Sequence, residues 1–168
     1  MPLRRSDCGS APRVVLLCGI SGSGKTFYAR GLEKEGYERI SADEIAWRVH
    51  GAALPSLSAK EQRRAFSEAA EEIDRRLAQI IRDGGRAVVD STLCRRARRD
   101  ALRAICRAGG VEPQLVYMDT PLPLLVGRMR RREGHGPDDQ RVPEERLKMF
   151  FNGFERPGAD ENPIVIKQ

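Results

Sequence analysis

Eight consecutive residues, Gly19-Ile-Ser-Gly-Ser-Gly-Lys-Thr26, constrain this chain more than any other feature. Their spacing is G-x-x-x-x-G-K-T, the Walker A phosphate-binding pattern. Gly19, Gly22 and Gly24 let the backbone close around an anion, so that successive N–H groups, those of Ser21 and Ser23 included, turn inward. Lys25 then reaches the β- and γ-phosphates of a nucleoside triphosphate, and the Thr26 hydroxyl is placed to ligate Mg²⁺. The flanks agree with the motif. Val14-Val-Leu-Leu-Cys18 is a continuous apolar run, as in a strand buried on both faces, and a helix can start behind the lysine. The dinucleotide fingerprint is excluded, because GxGxxG does not occur at this turn and lysine follows its last glycine.

The rest of the chain alternates short apolar runs with amphipathic segments, the signature of a parallel α/β sheet. Further strands are expected at residues 37–40, 86–90, 114–118 and 163–166. Helices are expected at about 26–34 and 42–50, and from Ser58, where Glu61 completes a capping box. In that third helix Phe66, Ala69, Ala70, Ile73, Leu77, Ile80 and Ile81 recur at three- and four-residue spacing, so one face packs on the sheet. Ala97, Ala101, Leu102, Ile105 and Cys106 mark another helix, and Leu122, Leu125, Val126 and Met129 one more, with Asp119 or Thr120 available as its cap. A last helix is expected at about 143–154. Residues 133–142 form a polar Gly/Pro-containing loop, a candidate lid. The expected fold is therefore α/β: a three-layer P-loop NTPase fold, a parallel five-stranded sheet with helices on both faces and a short lid. Residues 1–12 read as a disordered tail and 13–168 as a single domain.

Composition narrows the setting. With 40% hydrophobic and 32% charged residues the chain suits a soluble globular protein, and no apolar run approaches the ~20 residues of a membrane span. The start has no apolar leader core, and Cys8, Cys18, Cys94 and Cys106 form no CxxC pair, so a cytoplasmic, membrane-free location and buried thiols at Cys18 and Cys106 are expected. His50 and His135 are too isolated to build a metal site. The net charge of +6 favours anionic partners without choosing among them. A monomer is the default.

A regulatory GTPase needs Asn-Lys-x-Asp and DxxG, which are absent, and a large motor ATPase needs more chain. Beyond the cradle, Ile40-Ser-Ala-Asp-Glu-Ile45, Ala87-Val-Val-Asp-Ser-Thr92, Leu115-Val-Tyr-Met-Asp119 and Arg128-Met-Arg-Arg-Arg132 occur in an order and spacing that resembles the small P-loop kinases. These are the AAA_33-type ATP-binding proteins, similar to polynucleotide 5′-hydroxyl kinase domains and more distantly to zeta toxins and chloramphenicol phosphotransferase. The resemblance runs from about residue 13 to 166. It implies a phosphotransferase with an alcohol group as acceptor, using ATP (GTP remains open) and Mg²⁺, and acting on a small molecule or a nucleic-acid 5′ end.

Single residues carry these expectations further. Asp43 ends the second strand, where a carboxylate can take the proton of an attacking hydroxyl; it also fits an N-cap for a helix starting at Glu44. The resemblance assigns it the general-base role. Asp90 follows an apolar strand as in a Walker B element, so with Thr26 it can organise Mg²⁺, or with Thr92 position the acceptor. Arg128 and Arg132 lie four apart and can stabilise charge on the transferring phosphoryl group, or form a solvated basic face. Arg141, across the loop, is a weaker candidate for the same task. Arg95, Arg96, Arg98, Arg99, Arg103 and Arg107 are expected mostly on a solvent-facing helix surface. Polynucleotide kinases carry an acceptor-gripping arginine three residues after the base; here that place is Ala46, with Arg48 as a substitute. A nucleotide-binding regulator or slow ATPase is the alternative class.

Overall fold

The computed structural model describes residues 11–168. Most of the segment read as a tail, and Cys8 with it, lies outside the described residues. Five strands, β1 (Val14–Cys18), β2 (Glu38–Ser41), β3 (Ala87–Asp90), β4 (Gln114–Asp119) and β5 (Ile164–Lys167), form one sheet. Between them run α1 (Lys25–Lys34), α2 (Ala42–His50), α3 (Ala59–Arg82), α4 (Arg96–Ala108), α5 (Leu122–Arg130) and α6 (Glu144–Asn152). The strand order is β2-β3-β1-β4-β5, and every pairing is parallel. Chain direction across the sheet reverses at β1, so the loop leaving its C-terminal end opens into the crevice where such sheets bind ligands.

Strand β1 is buried along its whole length because both faces are covered. Val14, Leu16 and Cys18 pack with Ile73, Leu77 and Leu102 of α3 and α4. Val15 and Leu17 point the other way, onto Ala29 and Leu32 of α1. This alternation explains why β1 reads as an unbroken apolar run. The third helix starts as expected, with the Ser58–Glu61 capping box in place. No helix among the described residues is long and apolar enough to cross a membrane.

Three local expectations need correction. Phe66 is 36% exposed, and Ala65 is buried in its stead against Ala46 and Leu54. Pro121, without a side-chain bond, precedes α5, so neither Asp119 nor Thr120 caps it; the Thr120 hydroxyl is buried and unpaired among the described residues. On α4, Ala97 and Ala101 face solvent, whereas Arg99 is fully buried and Arg103 nearly so. Arg99 donates through Nε and Nη2 to Glu161 at 2.7 and 2.8 Å and through Nη1 to the carbonyls of Leu93 and Glu155. Arg103 adds a bond to Glu161 at 2.7 Å. A buried guanidinium is tolerated because its donors are satisfied and its charge is matched.

Candidate active site

The turn after β1 is built by its glycines. Gly22 and Gly24 have φ near +87° and +93°, a region other residues rarely adopt. A Cβ on Gly19 would sit 2.6 Å from the Ser23 hydroxyl and 3.1 Å from Met118, so a side chain there would have to displace them. The loop is tied to the sheet by the Gly19 N–H, which donates to the Thr92 carbonyl at 3.0 Å. Helix α1 starts at Lys25 without a side-chain cap, which leaves its positive end facing the cleft. Lys25 is buried, and its Nζ donates to the carbonyls of Gly19 and Ile20 at 2.8 and 3.0 Å. Burial lowers its pKa, with Asp90 and Asp43 acting in the opposite direction.

Asp90, at the C-terminal end of β3, is buried beside Thr26. The Thr26 hydroxyl donates to Asp90 Oδ2 at 3.1 Å, which turns its lone pairs away from the carboxylate. Arg39 of β2 donates to the same oxygen from Nε at 3.0 Å and Nη2 at 2.7 Å. The same guanidinium reaches Glu44 at 2.5 Å and Asp138 at 2.7 Å. Burial alone would weaken its hold on the proton, but the bonds to Asp138 and Asp90 outweigh this and raise its pKa. One cation thereby joins β2, β3, the first turn of α2 and the polar loop.

Asp43 lies in the first turn of α2, but it is not the cap. That role belongs to Ser41, whose Oγ accepts the Glu44 N–H at 3.2 Å. The Asp43 side chain is open to solvent through the cleft yet crowded by protein on its other sides. Burial pushes its pKa up to about 6; Lys25 and Arg132 pull it down, and Asp90 and Asp138 raise it further. These groups act on it through charge rather than through a hydrogen bond.

The loop 133–142 borders the cleft, which it lines through Asp138, and contains a short turn, Pro137–Asp139. Asp139 Oδ2 gathers the N–H groups of Glu133, Gly134 and His135, which shapes the loop internally. Asp138 fastens it to the body through Arg30 at 2.6 Å and Arg39. At its root, Arg128 Nη1 donates to the Gly22 carbonyl at 3.0 Å and Arg132 Nη1 to the Gln140 carbonyl at 2.9 Å. Below, Leu125 and Met129 of α5 pack with Leu147 of α6 and Ile20.

These parts surround one cleft of about 640 Å³. Of the sequence-predicted residues, Ser21, Gly22, Gly24, Lys25, Thr26, Asp43, Asp90, Arg128 and Arg132 line it. Gly19 and Ser23 belong to the loop but do not line the cleft, and the Ser23 hydroxyl is buried and unpaired among the described residues. Thr92 contributes its carbonyl to the loop, not its side chain to the cleft. Arg48 is drawn onto Glu72 of α3 at 2.6 Å and stays outside. Arg141 donates from Nε to the Arg132 carbonyl and is also outside the cleft wall. Ala46 is sealed against Leu54 and Ala65, so that position cannot present a group to a ligand. Sequence reading missed Arg39 and Asp138. Their only signal was a charged residue in a buried strand and an acidic pair in the lid.

No cluster of three or more His, Cys, Asp or Glu side chains suited to a metal occurs among the described residues. The Thr26–Asp90 pair nevertheless fits a Mg²⁺ ion that takes most of its remaining ligands from phosphate and water.

Comparison with known proteins bears on the family and the fold. The model of the AAA_33 family, an AAA domain, matches residues 14–157. The chain is 25% identical to the gluconokinase of Gluconobacter oxydans (strain 621H) over 98% of its own length and 87% of that protein. A sugar kinase from Janibacter sp. HTCC2649 superposes with a TM-score of 0.68 at 24% identity, covering 94% of this chain and 86% of the other. A chain of the Pnkp1/Rnl/Hen1 RNA repair complex superposes at 0.65 with 17% identity over 89% of this chain and 46% of that one, a likeness of fold alone.

Proposed function

The chain belongs to the AAA_33 family, and from that premise we propose that it is a P-loop kinase that transfers the γ-phosphoryl group of ATP to a hydroxyl of a small polyhydroxylated molecule. The observation that carries this reading is Asp43, a carboxylate facing the phosphate cradle inside the same cleft as Lys25, Arg128 and Arg132. A nucleotide switch has no use for a base opposite its cradle, and a slow ATPase would use it only on water. The gluconokinase and sugar kinase among the similar proteins lend weight to a hydroxyl acceptor. A nucleic-acid 5′ end is less favoured, because Arg48 is engaged with Glu72 and Ala46 is buried.

In this mechanism the loop N–H groups, Lys25 and the positive end of α1 bind the phosphates. Thr26 and Asp90 would hold Mg²⁺, which when bound neutralises phosphate charge. Asp43 orients the acceptor hydroxyl and takes its proton as the oxygen approaches the γ-phosphorus. Arg128 and Arg132 stabilise the charge that spreads over the γ-oxygens, and the loop 133–142 excludes water that would otherwise compete.

The test is transfer of labelled γ-phosphate to a panel of sugars, polyols, nucleosides and 5′-hydroxyl oligonucleotides by the native protein and by Asp43→Asn. Transfer to a small polyol that drops by about 10²–10⁴-fold in the variant, with ATP affinity preserved, is expected. Equal phosphate release by both proteins, with no acceptor labelled, would show a slow ATPase instead.

A further inference from the structure

Among the described residues, the hydrogen bonds to the Asp90 side chain all fall on one of its two carboxylate oxygens. Oδ2 accepts from the Thr26 hydroxyl at 3.1 Å, from Arg39 Nε at 3.0 Å and from Arg39 Nη2 at 2.7 Å. Oδ1 accepts none, yet it is not one of the sealed, unpaired polar atoms, so it keeps an opening to the cleft that Asp90 lines. The χ2 torsion of an aspartate is broad and soft when left to itself. Three donors on one oxygen remove that freedom, and fixing Oδ2 fixes the place of Oδ1 as well.

Arg39 reaches this oxygen from the neighbouring strand. In the β2–β3 register Arg39 pairs with Val88 and Ser41 with Asp90, so Arg39 and Asp90 are diagonal neighbours on one face of the sheet. The guanidinium is itself held from other directions, by Glu44 on Nη1 at 2.5 Å and by Asp138 on Nη2 at 2.7 Å, and its side chain is 3% exposed. Its planar fork sets two donors on Asp90 at once, a geometry that a lysine's point charge cannot give. Stability does not demand such a group, since apolar residues of similar volume often replace a buried ion pair without loss. Arg39 is also absent from the cleft wall, so it meets no ligand directly. Its contacts hold Asp90 and, with it, Thr26.

Resting on the phosphotransferase reading above, in which Thr26 and Asp90 would hold Mg²⁺, we propose that Arg39 is the positioning residue of that pair: it pins Asp90 through Oδ2 and keeps Oδ1 available to the cation. The protein's share of the metal site is therefore assembled before the nucleotide arrives. The Thr26 hydroxyl, donating to the same oxygen, is aligned with it. Arg39 acts only through Asp90 and needs no contact with phosphate or acceptor. Loss of an outer partner of this kind typically costs about 10–100-fold in metal affinity.

The experiment reads metal binding directly, without turnover. Mn²⁺ is titrated into protein loaded stoichiometrically with β,γ-imido ATP, and the free ion is followed by its electron paramagnetic resonance signal. Arg39→Lys keeps a positive charge against buried Asp90 and so preserves the fold, but it removes the fork. Its Mn²⁺ dissociation constant should rise by about tenfold or more, while its affinity for the nucleotide in EDTA is little changed. Glu44→Gln takes away an exposed partner of Arg39 and leaves the fork in place, so it should move Mn²⁺ affinity far less. An unchanged Mn²⁺ affinity in Arg39→Lys, an equal shift in Glu44→Gln, or weaker nucleotide binding with and without metal alike overturns the positioning role. A measurement on the native protein stands apart from any variant: the Arg39 Nε–H should stay protected from solvent exchange when Mg²⁺ and the same nucleotide are added. Rapid exchange there means that the cation displaces the arginine, which overturns the role as well. If the native protein binds nucleotide but takes up no Mn²⁺ with it, the Thr26–Asp90 metal assignment itself falls and the inference with it.

Discussion

A carboxylate that titrates near neutrality is a usable base only on one side of its pKa. Burial in the cleft brings Asp43 to about 6, and it must be ionised to take a proton. The rate of transfer should therefore be full above that value and fall about tenfold per pH unit below it. A profile of kcat/KM against pH checks this; a flat profile down to about pH 5 would remove Asp43 from the role of base. The residue shows what a motif conveys and what it leaves out. Its position after β2 was legible in the sequence, and so was its competing reading as a cap. The observed bond from the Glu44 N–H to Ser41 removes the cap reading. Arg39 gave no such warning. Its partners Asp90 and Asp138 lie 51 and 99 residues away, and no periodic pattern encodes contacts at that range.

Elements were the most readable level. β1, α3 and the Ser58 cap follow from local rules, namely apolar runs, three-to-four spacing and a hydroxyl three residues before a glutamate. The lid was legible as a polar loop, but its fastening was not, since Asp138 acts through residues of α1 and β2. That fastening has a measurable consequence. Asp138 is the loop's ion-pair tie to α1 and β2, so Asp138→Ala should make residues 133–142 several-fold more sensitive to limited proteolysis while α3 stays protected. Adding ATP should restore part of the protection, because Arg128 and Arg132 at the loop's root then gain phosphate partners. Equal cleavage rates for both proteins would show that other contacts hold the lid.

At the scale of the whole molecule, the stretch leading into β5 is clamped to α4 by Glu161, which is buried against Arg99 and Arg103. The bond from Arg99, with help from Arg103, holds its carboxyl at about 2, well below the usual 4.5. A depressed carboxylate stabilises the fold above its unfolded value and loses that contribution as pH falls toward the folded one. Glu161→Gln should lower the free energy of unfolding by about 3 kcal/mol at neutral pH, because it leaves two buried guanidinium groups short of a counter-charge. Urea titrations should show the gap to the native protein closing between about pH 4.5 and pH 2. Sequence periodicity assigned these arginines to solvent since it cannot see an acid about 60 residues downstream. Arg39 has the same character in the cleft, and its arrangement bears on how the protein can change over evolutionary time. A single guanidinium serves Asp90, Asp138 and Glu44 together, so the effect of altering one of these positions depends on the state of the others. Loss of Arg39 alone takes a cation from all three acids at once and leaves Asp138 only Arg30, whereas loss of an acid beforehand makes that step milder. Arg39 and its three acids are therefore expected to vary together across lineages rather than one position at a time.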